Sequence, residues 1–161
     1  MTTFSVTGHM RISPDSVEPI RKALIELMKP HAAGLVGVSC IARGSDTLFA
    51  EVVIELGGKL VAVMPSRNYR ERKVKPDHAP AFDRIVQAAF EIVTMEHDDT
   101  GKEAYESASR ELVRRADRMV AIWNGAPPAG NGGTADTVEV ARAAGVPVDV
   151  VWPPGASLSL D

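Results

Sequence analysis

A short segment near the amino terminus combines residues that suit a ligand carrying negative charge: Gly8, His9, Met10 and Arg11. Gly8 lets the backbone come close to a ligand, because it has no Cβ atom. Arg11 can donate two parallel hydrogen bonds to a phosphate group. His9 has no second histidine or thiolate at a matching spacing, so we do not expect a metal site. The alternative interpretation of the segment is an ordinary turn with an exposed histidine.

A second segment places basic, small and acidic residues at the start of a predicted helix: Arg43, Gly44, Ser45 and Asp46. The first amides of a helix lack intrahelical partners and carry partial positive charge, so they attract an anion. Arg43 would strengthen that attraction. Asp46 has two interpretations: it caps the helix, or it accepts hydrogen bonds from a sugar hydroxyl or orients Arg43. Cys40, just upstream, is most simply a small buried residue.

A third segment, residues 124–136, is rich in glycine and also precedes a predicted helix. Consecutive glycines allow backbone amides to surround an anion, and a threonine after them can cap the helix. The segment has neither the Gly-Lys-Ser/Thr of a P-loop nor the G-x-G-x-x-G of a dinucleotide fold, which argues against both classes. The ligand-binding residues that we predict here are Asn124, Gly132, Gly133, Thr134 and Asp136.

Short β-branched runs alternate with segments of helical periodicity along the chain. The predicted strands are residues 4–7, 35–38, 60–64, 90–94, 119–123 and 148–151. The first predicted helix begins at Pro14 and is closed by Pro30 and Gly34, and the others are residues 47–56, 81–89, 102–115 and 134–144. This alternation predicts right-handed crossovers and a single doubly wound α/β domain, with a parallel sheet of about five to six strands and helices on both faces. Ligands of such sheets bind at the carboxyl ends of the strands. Gly44 and Gly132 should therefore meet at one edge of the sheet.

Composition limits the function classes. The 161 residues fit one domain, which we place at residues 1–152, followed by a flexible tail at residues 153–161. The 18 Lys and Arg against 21 Asp and Glu give a net charge of −3. A general nucleic-acid binder normally carries an excess of Lys and Arg, so we do not expect nucleic acid as a partner. One cysteine excludes an internal disulfide. Neither a bilayer-spanning run nor an export signal is visible, so we expect a cytoplasmic protein without membrane contact.

Four ordered motifs resemble the SLOG superfamily, which includes the lonely-guy phosphoribohydrolases and the DNA-processing protein A. These motifs are residues 6–9 (VTGH), 42–46 (ARGSD), 121–125 (AIWNG) and 132–136 (GGTAD). The resemblance runs from about Phe4 to Val150 and implies a Rossmann-like sheet that binds a nucleotide or a nucleotide-derived ligand, such as AMP or an ADP-ribose derivative. It also implies that the phosphate is held by Gly132, Gly133 and Thr134, and that the protein forms a homodimer.

The sequence departs from the enzymes of this superfamily at the catalytic acid. Those enzymes carry a glutamate three residues after the threonine, where this chain has Thr137. Asp136 and Glu139 are displaced by one and two residues, which turns them by about 100° and 200° around the helix. Asp136 is therefore the one catalytic candidate.

We expect a nucleotide-binding module, for example a sensor. The alternatives are an enzyme that cleaves the N-glycosidic bond of a nucleoside 5′-monophosphate, with Asp136 stabilising the oxocarbenium-like centre, and a DNA-contacting accessory protein.

A basic segment follows the third predicted strand, with Arg67, Arg70, Arg72, Lys73 and Lys75. Charge runs are usually solvated surface, which is one interpretation. The other is a mobile basic lid over a phosphorylated ligand, with Tyr69 as a stacking partner.

Overall fold

The computed structural model describes residues 1–128 and 133–159. Within these residues the strands are β1 (Thr2–Gly8), β2 (Leu35–Ser39), β3 (Lys59–Met64), β4 (Glu91–Thr94), β5 (Arg118–Ile122) and β6 (Val148–Val150). The helices are α1 (Pro14–Met28), α2 (Ser45–Glu55), α3 (Tyr69–Lys73), α4 (Ala79–Ala88), α5 (Lys102–Arg115) and α6 (Thr134–Ala143). No helix in the described ranges is long and apolar enough to cross a lipid bilayer.

The strands form one parallel sheet in the order β4-β3-β2-β1-β5-β6. From β1 the chain steps outward in one direction to β4, and then crosses back to place β5 on the other side of β1. The strand order therefore reverses between β1 and β5, and Gly8 pairs with Ile122 at their carboxyl ends. The predicted single doubly wound sheet with helices is confirmed, and the reversal is the point where such sheets bind ligands.

The two faces of the sheet carry different helices. Buried side chains of α1, α2 and α4 pack with Phe4 and Val6 of β1 in one cluster, and α5 and α6 pack on the opposite face against Val63 and Met119. Because helices cover both faces, residues 60–64 of β3 are all buried. This agrees with the unbroken apolar run that the sequence shows there.

Helix α3 lies between the predicted strand at residues 60–64 and the predicted helix at residues 81–89, where the sequence predicts no helix. It has five residues and no apolar period of its own, so sequence pattern gives no sign of it. Its first residue, Tyr69, is buried, and Arg70 donates two hydrogen bonds to Asp83 of α4 at 2.8 and 2.7 Å. Tertiary contacts rather than local periodicity hold this turn of helix.

Residues 157–159, in the predicted tail, form hydrogen bonds with residues 11–16. The amide of Ser157 donates to Oγ of Ser16 at 2.9 Å, and the amide of Ser13 donates to the carbonyl of Ser157 at 3.0 Å. The amide of Ser159 donates to the carbonyl of Arg11 at 2.9 Å. The partners of this segment lie more than a hundred residues away in sequence, so no local pattern indicates these contacts.

Candidate functional site

A pocket of about 450 Å³ opens at the carboxyl end of β1. Its walls come from the segment after β1, the start of α2, helices α3 and α5, and the start of α6. Val6, Leu112 and Leu158 give it apolar surface, and Tyr69 and Tyr105 give it aromatic surface. The segments after β1 and β2 meet at this pocket. The end of the glycine-rich segment, at Gly133 and Thr134, reaches the same pocket.

The segment after β1 is fixed by two neighbours. The amide of His9 donates to the carbonyl of Ile122 at 3.1 Å, and the carbonyl of His9 accepts from Oγ of Ser45 at 2.7 Å. A Cβ atom placed on Gly8 would lie 2.5 Å from Cβ of Ser45, so only glycine permits this approach. Ser45 is buried, and its hydroxyl joins the two segments rather than lining the pocket.

The imidazole of His9 lines the pocket and is held by two contacts. Its Nε2 accepts the backbone N–H of Asn124 at 3.1 Å, and its ring lies edge-on to Trp152 at 5.5 Å. Burial lowers the pKa of His9, an effect that a side-chain hydrogen bond with Asn124 partly offsets. An Nε2 that accepts a hydrogen bond requires the neutral ring. The side chain of Asn124 accepts from the amide of Ala126 at 3.0 Å and lies outside the pocket lining.

The two arginines predicted to bind phosphate lie in different surroundings. Arg11 is exposed at the pocket and forms no ion pair with any residue that the structure describes. Arg43 points elsewhere: its guanidinium lies 3.6 Å from the carboxylate of Asp77, and it does not line the pocket. Arg11 is therefore the arginine in position to meet a ligand there.

Gly44 is where the segment after β2 contacts the segment after β1. Its φ of +81° lies in the region that favours glycine, and a Cβ atom there would lie 2.5 Å from the carbonyl oxygen of Met10. This glycine begins α2 and so sets where Asp46 enters the pocket.

Asp46 lines the pocket as a half-buried carboxyl group. Its Oδ2 accepts the amide of Ala42 at 3.2 Å. Burial raises the pKa of Asp46 to about 7, although the Ala42 hydrogen bond acts in the opposite direction. Burial, followed by the charge of Asp46, also raises the pKa of Cys40 well above its usual value, so this thiol is a poor nucleophile. No group of three His, Cys, Asp or Glu side chains in the described ranges could hold a metal ion.

Ile41 has a backbone conformation that sequence analysis missed. It is fully buried, yet its φ is +55°, which is rare for a β-branched residue. Its amide donates to Oγ of Ser39 at 3.0 Å, and its carbonyl accepts from Nε2 of His78, also at 3.0 Å. These contacts hold the bend that aims the Ala42 amide at Asp46. Strain of this kind concentrates at functional sites, and no glycine in the sequence signals it.

The third segment reaches the pocket through Gly133 and Thr134, while Gly132 lies outside the described residues. Asp136, the catalytic candidate, does not line the pocket, and its Oδ2 accepts the amide of Gly133 at 3.2 Å. The neighbouring Thr137 does line it, with its hydroxyl 3.3 Å from that of Ser109 on α5.

Helix α5 and the tail provide walls that sequence analysis did not identify: Tyr105, Ala108, Ser109, Leu112 and Leu158. The periodicity of α5 predicts a buried face, but it does not predict that this face borders the pocket. The tail gives no periodic signal at all.

The basic segment is partly neutralised. Arg67 lies 2.8 Å from Asp98 and Arg70 pairs with Asp83, whereas Arg72, Lys73 and Lys75 are exposed and form no ion pair with the described part of the chain. Tyr69, the stacking candidate, is instead a buried wall of the pocket.

The fold is that of a Rossmann-like α/β protein with a pocket at the point where the strand order reverses. No protein-family model and no curated protein matches the sequence. Among solved structures, DNA processing protein A from Streptococcus pneumoniae aligns at a TM-score of 0.69 with 18% identity, over 93% of this chain and 50% of that protein. The same protein from Helicobacter pylori aligns at 0.70 with 18% identity, over 97% of this chain and 68% of that one.

Two further structures have the same architecture. The protein TM1055 aligns at a TM-score of 0.58 with 25% identity, over 92% of this chain and 72% of that protein. The molybdenum cofactor binding protein from Rippkaea orientalis aligns at 0.59 with 15% identity, over 92% of this chain and 75% of that protein. The chain has the SLOG-type Rossmann-like fold, which confirms the resemblance stated above at the level of the fold. It spans half the length of the Streptococcus protein.

One expectation from composition is wrong. We argued from the net charge of −3 against nucleic acid as a partner, yet the Helicobacter pylori protein of the same fold is described by its single-stranded DNA binding mode. Net charge averages over the whole surface, whereas a strand of nucleic acid contacts one local cluster of cations. The overall charge therefore does not exclude this partner.

Proposed function

We propose that this chain binds a nucleotide-derived small molecule in the pocket at the end of β1. The observation that carries the proposal is the convergence of Arg11, the start of α6 at Thr134, and aromatic walls around one volume of about 450 Å³. A volume of this size lies within the range of ligand pockets, about 300–1,000 Å³. The charged end of the ligand lies at Arg11 and Thr134, and its flat ring lies along Tyr69 and Tyr105.

The chemistry of the two ends supports this orientation. The start of a helix and a guanidinium that pairs with no carboxylate in the described part of the chain both favour a phosphate. The tyrosine rings and the side chains of Val6 and Leu112 offer a surface that favours an apolar, planar group. A nucleotide has both chemistries in one molecule.

Titration calorimetry with AMP, GMP and ADP-ribose tests the proposal. We expect at least one to bind, and Arg11→Ala to weaken it by about tenfold or more, because a hydrogen bond to a charged group is lost. Arg72→Ala is the matched control: it removes an exposed arginine outside the pocket lining and should leave the affinity unchanged. If the unmodified protein binds none of these compounds, the proposal fails.

A second candidate function is binding of single-stranded DNA. The exposed cations Arg72 and Lys73 favour it, because they belong to the same short helix as Tyr69, a wall of the pocket. A strand whose phosphates contact α3 could place one nucleotide in the pocket. The single-stranded DNA binding mode of the Helicobacter pylori protein supports the same idea.

Fluorescence anisotropy with a labelled oligothymidine tests this second function. We expect affinity to fall between about 50 and about 200 mM salt, and the double change Arg72→Ala with Lys73→Ala to lower the salt slope by about 1–2 units. The change Arg21→Ala, at an arginine of α1 that pairs with Glu55, is the control and should have no effect. Salt-independent or absent binding would rule out the DNA interaction.

A further inference from the structure

The pocket contains a carboxyl group that phosphate binding does not use. Asp46 lines the pocket, and its Oδ2 is held by the amide of Ala42 at 3.2 Å. The adjacent Arg43 is paired with Asp77 instead, and no described residue forms an ion pair with Asp46. A half-buried acid that faces an open volume and pairs with no described cation is completed by a ligand that donates hydrogen bonds.

Among the titratable groups that line the pocket, Asp46 is the one suited to accept hydrogen bonds from a ligand. The titratable side chains that share the lining are Cys40 from the segment after β2, Tyr69 from α3, Tyr105 from α5, and His9 and Arg11 from the segment after β1. Of these, Arg11 is the permanent cation, and it is exposed. The two phenols and the thiol are neutral at ordinary pH, and burial raises their pKa values further.

An ionised Asp46 can accept two hydrogen bonds from a ligand. The Ala42 amide fixes one carboxylate oxygen, and a hydrogen bond of this kind favours the ionised form. An ionised carboxylate only accepts, so its best partner is a pair of adjacent N–H donors. Guanine and pterin rings present such a pair, a ring N–H beside an exocyclic amino group. Adenine instead presents one donor beside one acceptor.

We propose that Asp46 selects a ligand whose ring carries a ring N–H beside an exocyclic amino group, the edge that guanine nucleotides and pterins share. This inference rests on the proposed nucleotide function and assigns the ring end of the same site. Arg11 and the start of α6 hold the charged end of the ligand. Asp46 accepts hydrogen bonds from the ligand ring, which lies between Tyr69 and Tyr105.

Calorimetry at about pH 8, where Asp46 is ionised, tests the selection. The ligands are GMP, IMP, which lacks the amino group, AMP, which reverses the edge, and XMP, which has a carbonyl in place of the amino group. We expect GMP to bind about tenfold or more tightly than the other three. A phosphorylated pterin is the second arm: tighter binding than GMP assigns the pterin, and weaker binding assigns guanine.

The substitution Asp46→Asn should invert the preference from GMP to XMP, because the asparagine amide donates to the new carbonyl. Loss of folding cannot produce such an inversion. In the unmodified protein, the affinity for GMP should also fall below about pH 7 as Asp46 takes up a proton, which supplies a readout independent of the variant.

The outcomes separate the two proposals. Equal binding of GMP and AMP by the unmodified protein, or an unchanged preference in Asp46→Asn, overturns the role of Asp46 but keeps the nucleotide function. Binding of no nucleotide and no pterin overturns the nucleotide function itself.

Discussion

Replacing Gly44 with alanine is expected to destabilise the protein by about 3 kcal/mol and to abolish ligand binding in the pocket. At a φ of +81° the added side chain incurs a backbone cost of about 1–3 kcal/mol. Its Cβ would also lie 2.5 Å from the carbonyl oxygen of Met10, a backbone atom that cannot rotate away, so overpacking adds about 1–3 kcal/mol. To relieve this contact, the segments after β1 and β2 must move apart, and these segments form the pocket.

Gly57→Ala is the matched control for this experiment. Gly57 has nearly the same φ, +79°, but nothing lies within 4 Å of the position of its Cβ, so we expect only the backbone cost of about 1 kcal/mol. Urea denaturation of both variants measures the difference. An equal loss at the two positions would contradict the close approach of Gly44 to Met10.

The stability of the unmodified protein is expected to fall as the pH rises from about 4 to about 7, and Asp46→Asn should remove most of this dependence. Burial raises the pKa of Asp46 from 3.8 to about 7, so between these values the folded protein binds a proton that the unfolded chain has released. Raising the pH therefore favours unfolding, by about 2–4 kcal/mol at full deprotonation of this half-buried group. Asparagine can still accept the Ala42 amide but never becomes charged.

The measurement is the free energy of unfolding at about pH 5 and about pH 8 for the protein and the variant. Asp83→Asn is the control: its hydrogen bond with Arg70 lowers the pKa of Asp83, so this exposed carboxyl is ionised throughout the interval. We expect Asp83→Asn to leave the pH dependence intact. If Asp46→Asn loses as much stability as the unmodified protein on going to the higher pH, the carboxyl of Asp46 is not held in its neutral form by the fold.

The sheet edge at which the site lies follows from local signals. Alternating strand and helix patterns require crossovers that place all carboxyl ends of parallel strands together, so the sequence predicts that the segments at Gly8, Asp46 and Gly133 converge. Their residues do line one pocket. The order β4-β3-β2-β1-β5-β6, by contrast, depends on where the chain crosses back after β4, and no local pattern encodes that step.

The sequence by itself determined the class of fold, the end of the sheet that carries the pocket and the glycines that bring the segments together, because propensity and periodicity act over a few neighbouring residues. Only the tertiary structure decided which side chains face the pocket. Arg43 turns to Asp77, and Asp136 turns back to Gly133 while Asp46 faces inward. The walls from α5 and Leu158 likewise come from distant parts of the chain. Such orientations depend on partners far away in sequence, and a rotation by one helical residue, about 100°, is enough to change a pocket residue into a cap.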